Sequence, residues 1–149
     1  CDTQNLSNLA WSFSTLGSRH PPLFAAMSAA AIRRLSQFTV QELSNTAWSY
    51  ATLEVENWPL LEAIASAAIR RISQYGAQDI SNTAWACARL GFIDGPLMDA
   101  ISAAALPRIS QFGPQGHASL AWACAKLGMS HPPLLQALAK QSISSVDEC

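Results

Sequence analysis

The sequence carries little charge. Lys, Arg, Asp and Glu make up 13% of its 149 residues, nine basic against ten acidic. A balance this close to zero provides no global field to gather a polyanion, so any nucleic-acid contact must come from local clustering. The three histidines are scattered: His20 and His131 share a turn position before Pro-Pro, and His117 replaces a core Leu. No pair has metal-ligand spacing, no glycine-rich phosphate loop appears, and no serine sits in a nucleophile motif. Neither a catalytic residue, a metal, a cofactor nor a small-molecule substrate is expected, and the chain does not read as an enzyme. Apolar runs stop short of the roughly 18 residues that a spanning helix needs, so membrane insertion is not expected. The N-terminus has neither an initiator Met nor a basic or apolar leader. Cys1 opens a repeat and Cys149 falls where a fifth would begin, which reads as a mature or excised piece of a longer array.

The four cysteines do not read as a disulfide framework. Cys87 and Cys124 occupy one repeat position, where Phe13 and Tyr50 stand in the other copies. Equivalent positions on stacked helices lie about 8–10 Å apart, beyond the roughly 7 Å that a disulfide spans. Both therefore read as buried thiols filling the core. The sequence does not determine the state of Cys1 and Cys149.

What the sequence has in abundance is self-similarity. Leu43-Ser44-Asn45-Thr46-Ala47-Trp48 recurs as Leu6-Ser7-Asn8-Leu9-Ala10-Trp11, Ile80-Ser81-Asn82-Thr83-Ala84-Trp85 and His117-Ala118-Ser119-Leu120-Ala121-Trp122. Trp11, Trp48, Trp85 and Trp122 follow one another at steps of 37 residues without insertion or deletion. A fixed period of this size marks a repeat array.

Each unit reads as two helices. The first opens on a cap: Asp2, then Thr39 with Glu42 as a capping box, then Gly76 and Gly113, with Pro114 at the first helical position. Phe38, Tyr75 and Phe112 precede the caps and are spaced to pack on Leu43, Ile80 and His117 as hydrophobic staples. Gly17, Gly91 and Gly128 end the first helix in a left-handed turn. Glu54 replaces that glycine in the second unit, so a different turn is expected there. The second helix starts near Pro22, Pro59, Pro96 and Pro133 and ends at Ser36-Gln37, Ser73-Gln74 and Ser110-Gln111. Pro107 should stop the third unit's second helix about a turn early. The last unit turns polar over Gln141 to Ser145, as a solenoid cap or a fading repeat. Short connections make the helices of a pair antiparallel neighbours. The expectation is an all-α, single-domain α-solenoid of four helix-turn-helix repeats, residues 1–37, 38–74, 75–111 and 112–148.

Three columns are candidates for binding. The tryptophans read first as inter-helix packing, beside small residues that let the second helix approach, and second as an aromatic ladder for bases. Asn8, Asn45 and Asn82, with Ser119 last, sit in mid-helix, where Asn propensity is poor. They offer either an inter-repeat hydrogen-bond ladder or a reading surface. Beside them runs a stripe that includes Ser12, Ser49, Arg89 and Lys126 and varies between units, as a modular surface or an ordinary solvated face would. Arg34, Arg71 and Arg108, next to Arg33 and Arg70, end the second helices. There they complement the exposed carbonyls or form a basic stripe for phosphates.

Through Gln41-Glu42-Leu43-Ser44-Asn45-Thr46-Ala47-Trp48 and Gln78-Asp79-Ile80-Ser81-Asn82-Thr83-Ala84-Trp85, closed by Leu53 or Leu90-Gly91, the whole chain resembles the octotricopeptide-repeat proteins and the related FAST-kinase-like helical-repeat group. The resemblance implies a right-handed paired-helix superhelix in a chloroplast or mitochondrion. Its partner would be single-stranded RNA, bound for processing, stability or translation. The alternative is a protein–protein scaffold or a structural subunit of a larger organellar complex, such as a ribosome or photosynthetic assembly.

Overall fold

The structure is a computed structural model that describes residues 2–147. The described residues form eight α-helices and three short 3-10 turns, with no strand. The helices are α1 (Thr3–Leu16), α2 (Pro21–Arg33), α3 (Val40–Thr52), α4 (Trp58–Arg71), α5 (Ala77–Leu90), α6 (Gly95–Ala105), α7 (Pro114–Leu127) and α8 (Pro132–Asp147). First helices stack on first helices, α1 on α3 on α5 on α7. Second helices form the other layer, α2 on α4 on α6, with α8 packed on the turn that follows α6. One apolar core runs between the layers from Leu6 to Leu138. The all-α solenoid read from the 37-residue period is what forms.

The caps explain where each helix begins. Asp2 accepts a hydrogen bond from the Asn5 backbone N–H at 2.7 Å. Thr39 and Glu42 make both arms of the capping box, at 2.8 and 3.1 Å. The second helices have a cap column of their own just before the prolines. His20, Asn57, Asp94 and His131 each accept from the backbone N–H three residues on, at 2.9–3.3 Å. The two histidines of the turns are therefore N-caps, accepting through Nδ1.

Two expectations about helix ends change. Ser36-Gln37 and Ser73-Gln74 lie in 3-10 turns, Leu35–Gln37 and Ile72–Gln74, rather than in the second helices themselves. Pro107 acts as expected: α6 stops at Ala105 and a longer 3-10 turn, Leu106–Gln111, takes over. Glu54, by contrast, does not change its turn. It adopts the left-handed conformation of its glycine counterparts, φ 54° against 64° at Gly17 and 68° at Gly91. The same pair of closing bonds forms, from Glu54 N–H to Ala51 and from Val55 N–H to Tyr50. A side chain at this φ costs about 1–2 kcal/mol. It is offset by two ion pairs, to Arg19 of the first unit at 3.2 Å and to Arg89 of the third at 2.6 Å. Glu54 thus ties three consecutive units together along one edge.

Cys87 and Cys124 are buried free thiols, as expected from their shared repeat position; Cys1 and Cys149 lie outside the described residues. Burial, helped by the Asp94 carboxylate, pushes the Cys87 thiol up to about 12 from an ordinary 9.0, and burial raises Cys124 as well. Burial likewise raises the Tyr50 phenol, partly countered by its bond to Ser28.

Three measurements follow from these features. Because exposed ion pairs contribute only about 0.2–1 kcal/mol each, Glu54→Gly should stay within about 1 kcal/mol of the parent in urea denaturation. Glu54→Ala loses the pairs and keeps the strained φ, and should be the less stable of the two by roughly 1 kcal/mol. For the thiols, the unfolded chain ionises at lower pH than the folded chain. Their contribution is therefore complete below pH 9.0 and is lost as pH climbs toward about 12. The urea midpoint should hold up to that lower limit and then fall. Thiol labelling near neutral pH, read by peptide mapping, should spare Cys87 and Cys124 until the chain unfolds.

Candidate functional site

The first-helix layer has an outer face, and the helical period decides which side chains lie on it. On α5 the positions Gln78, Asn82, Trp85 and Arg89 follow at i, i+4, i+7 and i+11, one stripe of the helix. The same stripe is Gln41, Asn45, Trp48 and Thr52 on α3, and Gln115, Ser119, Trp122 and Lys126 on α7. All of these side chains are exposed or half-buried. Between α5 and α7, bordered by Trp48 of α3, this face opens into a groove of about 490 Å³. Trp48 and Trp85 both line it and meet with ring centroids 6.1 Å apart and planes tilted by 31°. Gln78, Ser81, Asn82, Gln111, Gln115 and Ser119 supply its polar lining.

The groove opens at this junction for a local reason. Glu42 and Asp79 occupy the third position of their helices, and Asp79 is engaged there. Its Oδ2 accepts from Gly76 N–H at 3.0 Å, and its Oδ1 accepts from Ser44 Oγ of the preceding unit at 3.0 Å. At the same place α7 has Gly116, whose missing side chain leaves space beside Ser81 and lets Phe112 approach closely. A Cβ built there would meet Phe112 Cδ1 at 3.3 Å.

The sequence-derived candidates divide accordingly. Asn82 and Ser119 line the groove. Asn45 is half-buried in the same column and Asn8 is exposed on α1. Among the described residues none of the three Asn side chains makes a hydrogen bond, so the inter-repeat amide ladder does not form. Only their backbone carbonyls are used, accepting Ser12 Oγ at Asn8 and Ser49 Oγ at Asn45, both at 2.8 Å. Ser49 is fully buried and cannot belong to a reading surface; Ser12, its counterpart, is exposed. The reason is that this position packs against the preceding unit, where Ala86 and Ala123 are also buried. Arg89 is held by Glu54, and Lys126 is exposed at the far end of α7.

The tryptophans face outward, with Trp11 and Trp122 about half exposed. Ala10, Ala47 and Ala84 beside them point into the core. The indoles therefore pack between neighbouring first helices on the outer face and not beneath the second helices.

The arginines are mostly committed elsewhere. Arg71 Nη1 donates to the Phe38 carbonyl at the start of its own unit at 2.6 Å. Arg108 donates to Ser73 of the preceding unit and to Ala104 of its own helix, both at 3.1 Å. They pair with neither acids nor the groove; Arg71 ties the end of its second helix to the start of its own unit, and Arg108 ties its unit to the one before. Arg34 is exposed.

What the sequence reading missed is the glutamine. Gln4, Gln41, Gln78 and Gln115 recur at the full period, and Gln37, Gln74 and Gln111 form a second column. The period itself was the available signal, obscured by the acidic caps adjacent to the first column.

Over residues 2–148 the chain matches the model of RESC6, the RNA-editing substrate-binding complex 6 protein. The chain belongs to that family. No curated protein matches it. The octotricopeptide-repeat and FAST-kinase-like resemblance is thereby corrected. The motifs behind it were core Leu and Ala positions, a helix-stop glycine and a Trp on the outer face; the core positions and the glycine serve helix stacking and ending and do not by themselves distinguish families. The right-handed superhelix and the organelle rested on that resemblance alone. Among the described residues no helix is long and apolar enough to cross a membrane, and no three His, Cys, Asp or Glu side chains converge on a metal site.

The RESC6-family chain offers one clear mutational contrast. Arg71→Ala removes a charged donor from a half-buried carbonyl and should cost about 1.5–3 kcal/mol of stability in urea denaturation. Arg34→Ala should leave the midpoint within about 0.5 kcal/mol of the parent.

Proposed function

We propose that this chain is a protein-binding scaffold module of an RNA-editing substrate-binding complex, presenting the outer face of its first-helix layer to a neighbouring subunit. In this reading the chain assists RNA processing through assembly and carries no catalytic step. The observation that carries it is the chemistry of the groove: not one of its twelve lining residues is ionisable. Single-stranded nucleic acid brings one negative charge per nucleotide, and binding by an extended basic surface is what makes such contacts strong and salt-dependent. Here Arg71 and Arg108 are tied to backbone carbonyls, Arg89 is tied to a carboxylate, and the whole chain is close to neutral. Surface amides and half-exposed indoles instead match the enrichment of aromatic and depletion of charged side chains at the centre of protein interfaces. The family supplies the context, a complex in which such a module has subunits to join.

Two experiments bear on this directly. Fluorescence anisotropy with mixed-sequence single-stranded RNA should show no binding by the folded chain at low salt. In a complex assembled with this chain, nuclease digestion should leave it associated. Tight RNA binding that weakens with salt, together with release of the chain by nuclease, would reverse the reading in favour of RNA.

A further inference from the structure

The stack of first helices has two open sides, that of α1 away from α3 and that of α7 away from α5. We infer that these sides are the two halves of one interface, through which a second copy of this chain docks head to tail. The α1 of one copy lies on the α7 of the next, and the solenoid continues across chains. This surface is separate from the groove and does not depend on the scaffold reading above.

Burial along the repeat identifies both halves. On the flank toward a preceding unit, one position holds Thr46, Thr83 and Leu120 in the later units, all buried; in the first unit it holds Leu9, which is 40% exposed. Two helical turns on, Leu53 and Leu90 are buried and Leu127 is half-buried, whereas Leu16 is 77% exposed. Ser12, between the two leucines, is exposed where Ser49, Ala86 and Ala123 are buried. On the opposite flank the pattern reverses. Ser44, Ala47 and Ala51 of α3 are buried, as are their counterparts on α1 and α5, whereas Ala118, Ala121 and Ala125 of α7 are exposed.

The second-helix layer agrees. Leu135 is 42% exposed where Phe24, Leu61 and Met98 are buried, and Ala139 and Ser142 are exposed on the same flank of α8. At the other end Leu23 is half-buried where Leu60, Leu97 and Leu134 are buried. A terminal unit that meets water is built with a polar outer face. Here not one of these flank residues is charged.

The chain itself shows what covers such flanks. At the junction of α5 and α7 the flanks are Ser81, Ala84 and Ala88 on α5 and Leu120, Ala123 and Leu127 on α7. The open flank of α1 repeats the second set as Leu9, Ser12 and Leu16, and the open flank of α7 repeats the first as Ala118, Ala121 and Ala125. Each end therefore carries one half of a junction that the chain already makes within itself, leucines on one side and a small-residue face on the other. Pairing the halves removes apolar surface from water without stranding an ion. Because two different faces of one chain meet, the contact is heterologous; it adds copies end to end or closes into a ring.

Blocking one half at a time tests this. Leu9→Glu places a carboxylate on the α1 half and Ala121→Glu places one on the α7 half. Both sites are exposed in the single chain, so circular dichroism should show native helicity; Leu16→Glu and Ala125→Glu replace either variant that loses it. In sedimentation velocity the average mass of the parent should rise above the monomer's as concentration increases to about 100 μM, where a weak contact is already populated. Each variant alone should stay at the monomer mass. Mixed in equal amounts, the two should form a dimer and nothing larger, because the Leu9→Glu chain keeps only its α7 half and the Ala121→Glu chain only its α1 half. A folded parent that stays monomeric over the whole range would overturn the proposal and leave these flanks to a helix pair of another chain. Variants that associate as the parent does, or a mixture that fails to pair, would overturn the head-to-tail assignment.

Discussion

Everything in this fold depends on first helices lying close against one another, and that closeness depends on small side chains on both of their flanks. On α3 the flank facing the preceding unit has Thr46 and Ser49, and the flank facing the next has Ser44 and Ala51; all are buried. Ala86 and Ala123 hold the position of Ser49 in the later units. Larger residues here would push the helices apart and open the core between the layers, since packed interiors tolerate little added volume. The buried hydroxyls cost little because they bond within their own helix, Thr46 to the Glu42 carbonyl at 2.7 Å and Ser49 to that of Asn45 at 2.8 Å. A single pair of helices cannot bury such flanks alone; only stacking does, which is why a period without insertions matters physically.

Once that spacing is set, the other devices act across it. Asp79 reaches back to Ser44, Arg71 to Phe38 and Arg108 to Ser73, and Glu54 reaches in both directions to Arg19 and Arg89. Each is a charged side chain spent within the solenoid, Arg71 inside its own unit and the others on a neighbouring one. These contacts use six of the nineteen charged side chains, Arg19, Glu54, Arg71, Asp79, Arg89 and Arg108, while the groove is lined by amides, serines, aromatic rings and small residues. The uncharged groove and the charged straps are thus two sides of one allocation.

Much of this was legible because periodicity reports burial. The tryptophan steps, the capping box at Thr39 and Glu42, the helix-stop glycines and Pro107 each have a local physical cause that can be read without coordinates. The failures arose where a residue's role is set by a neighbour in space. Glu54 looked like a broken turn because its stabilising partners, Arg19 and Arg89, belong to other units. Ser49 and Asn45 are both polar and four residues apart, yet one is buried between helices and the other half-buried on the outer face; only the direction of stacking separates them. The arginines left a phosphate stripe open beside the helix-end reading because the carbonyls they bind, at Phe38 and Ser73, are backbone and leave no trace in sequence. Lineage was misread for a related reason: the shared motif encodes stacking geometry, which unrelated helical pairs can satisfy alike.

The contrast between the two polar columns of the first helices shows how one period can encode both support and recognition. Ser44 and Asn45 are adjacent in sequence and about 100° apart around the helix. Ser44 is buried and bonded, to Gln41 of its own helix and to Asp79 of the next unit. Asn45 is left half-buried with an amide that nothing in the solenoid uses. An unused amide in mid-helix brings poor helical propensity and no compensating bond. Repeated at Asn8 and Asn82, that local cost has no structural return within the described residues. Of the three, only Asn82 lines the groove between α5 and α7, and it is there that the scaffold reading would satisfy an amide by a partner's polar groups.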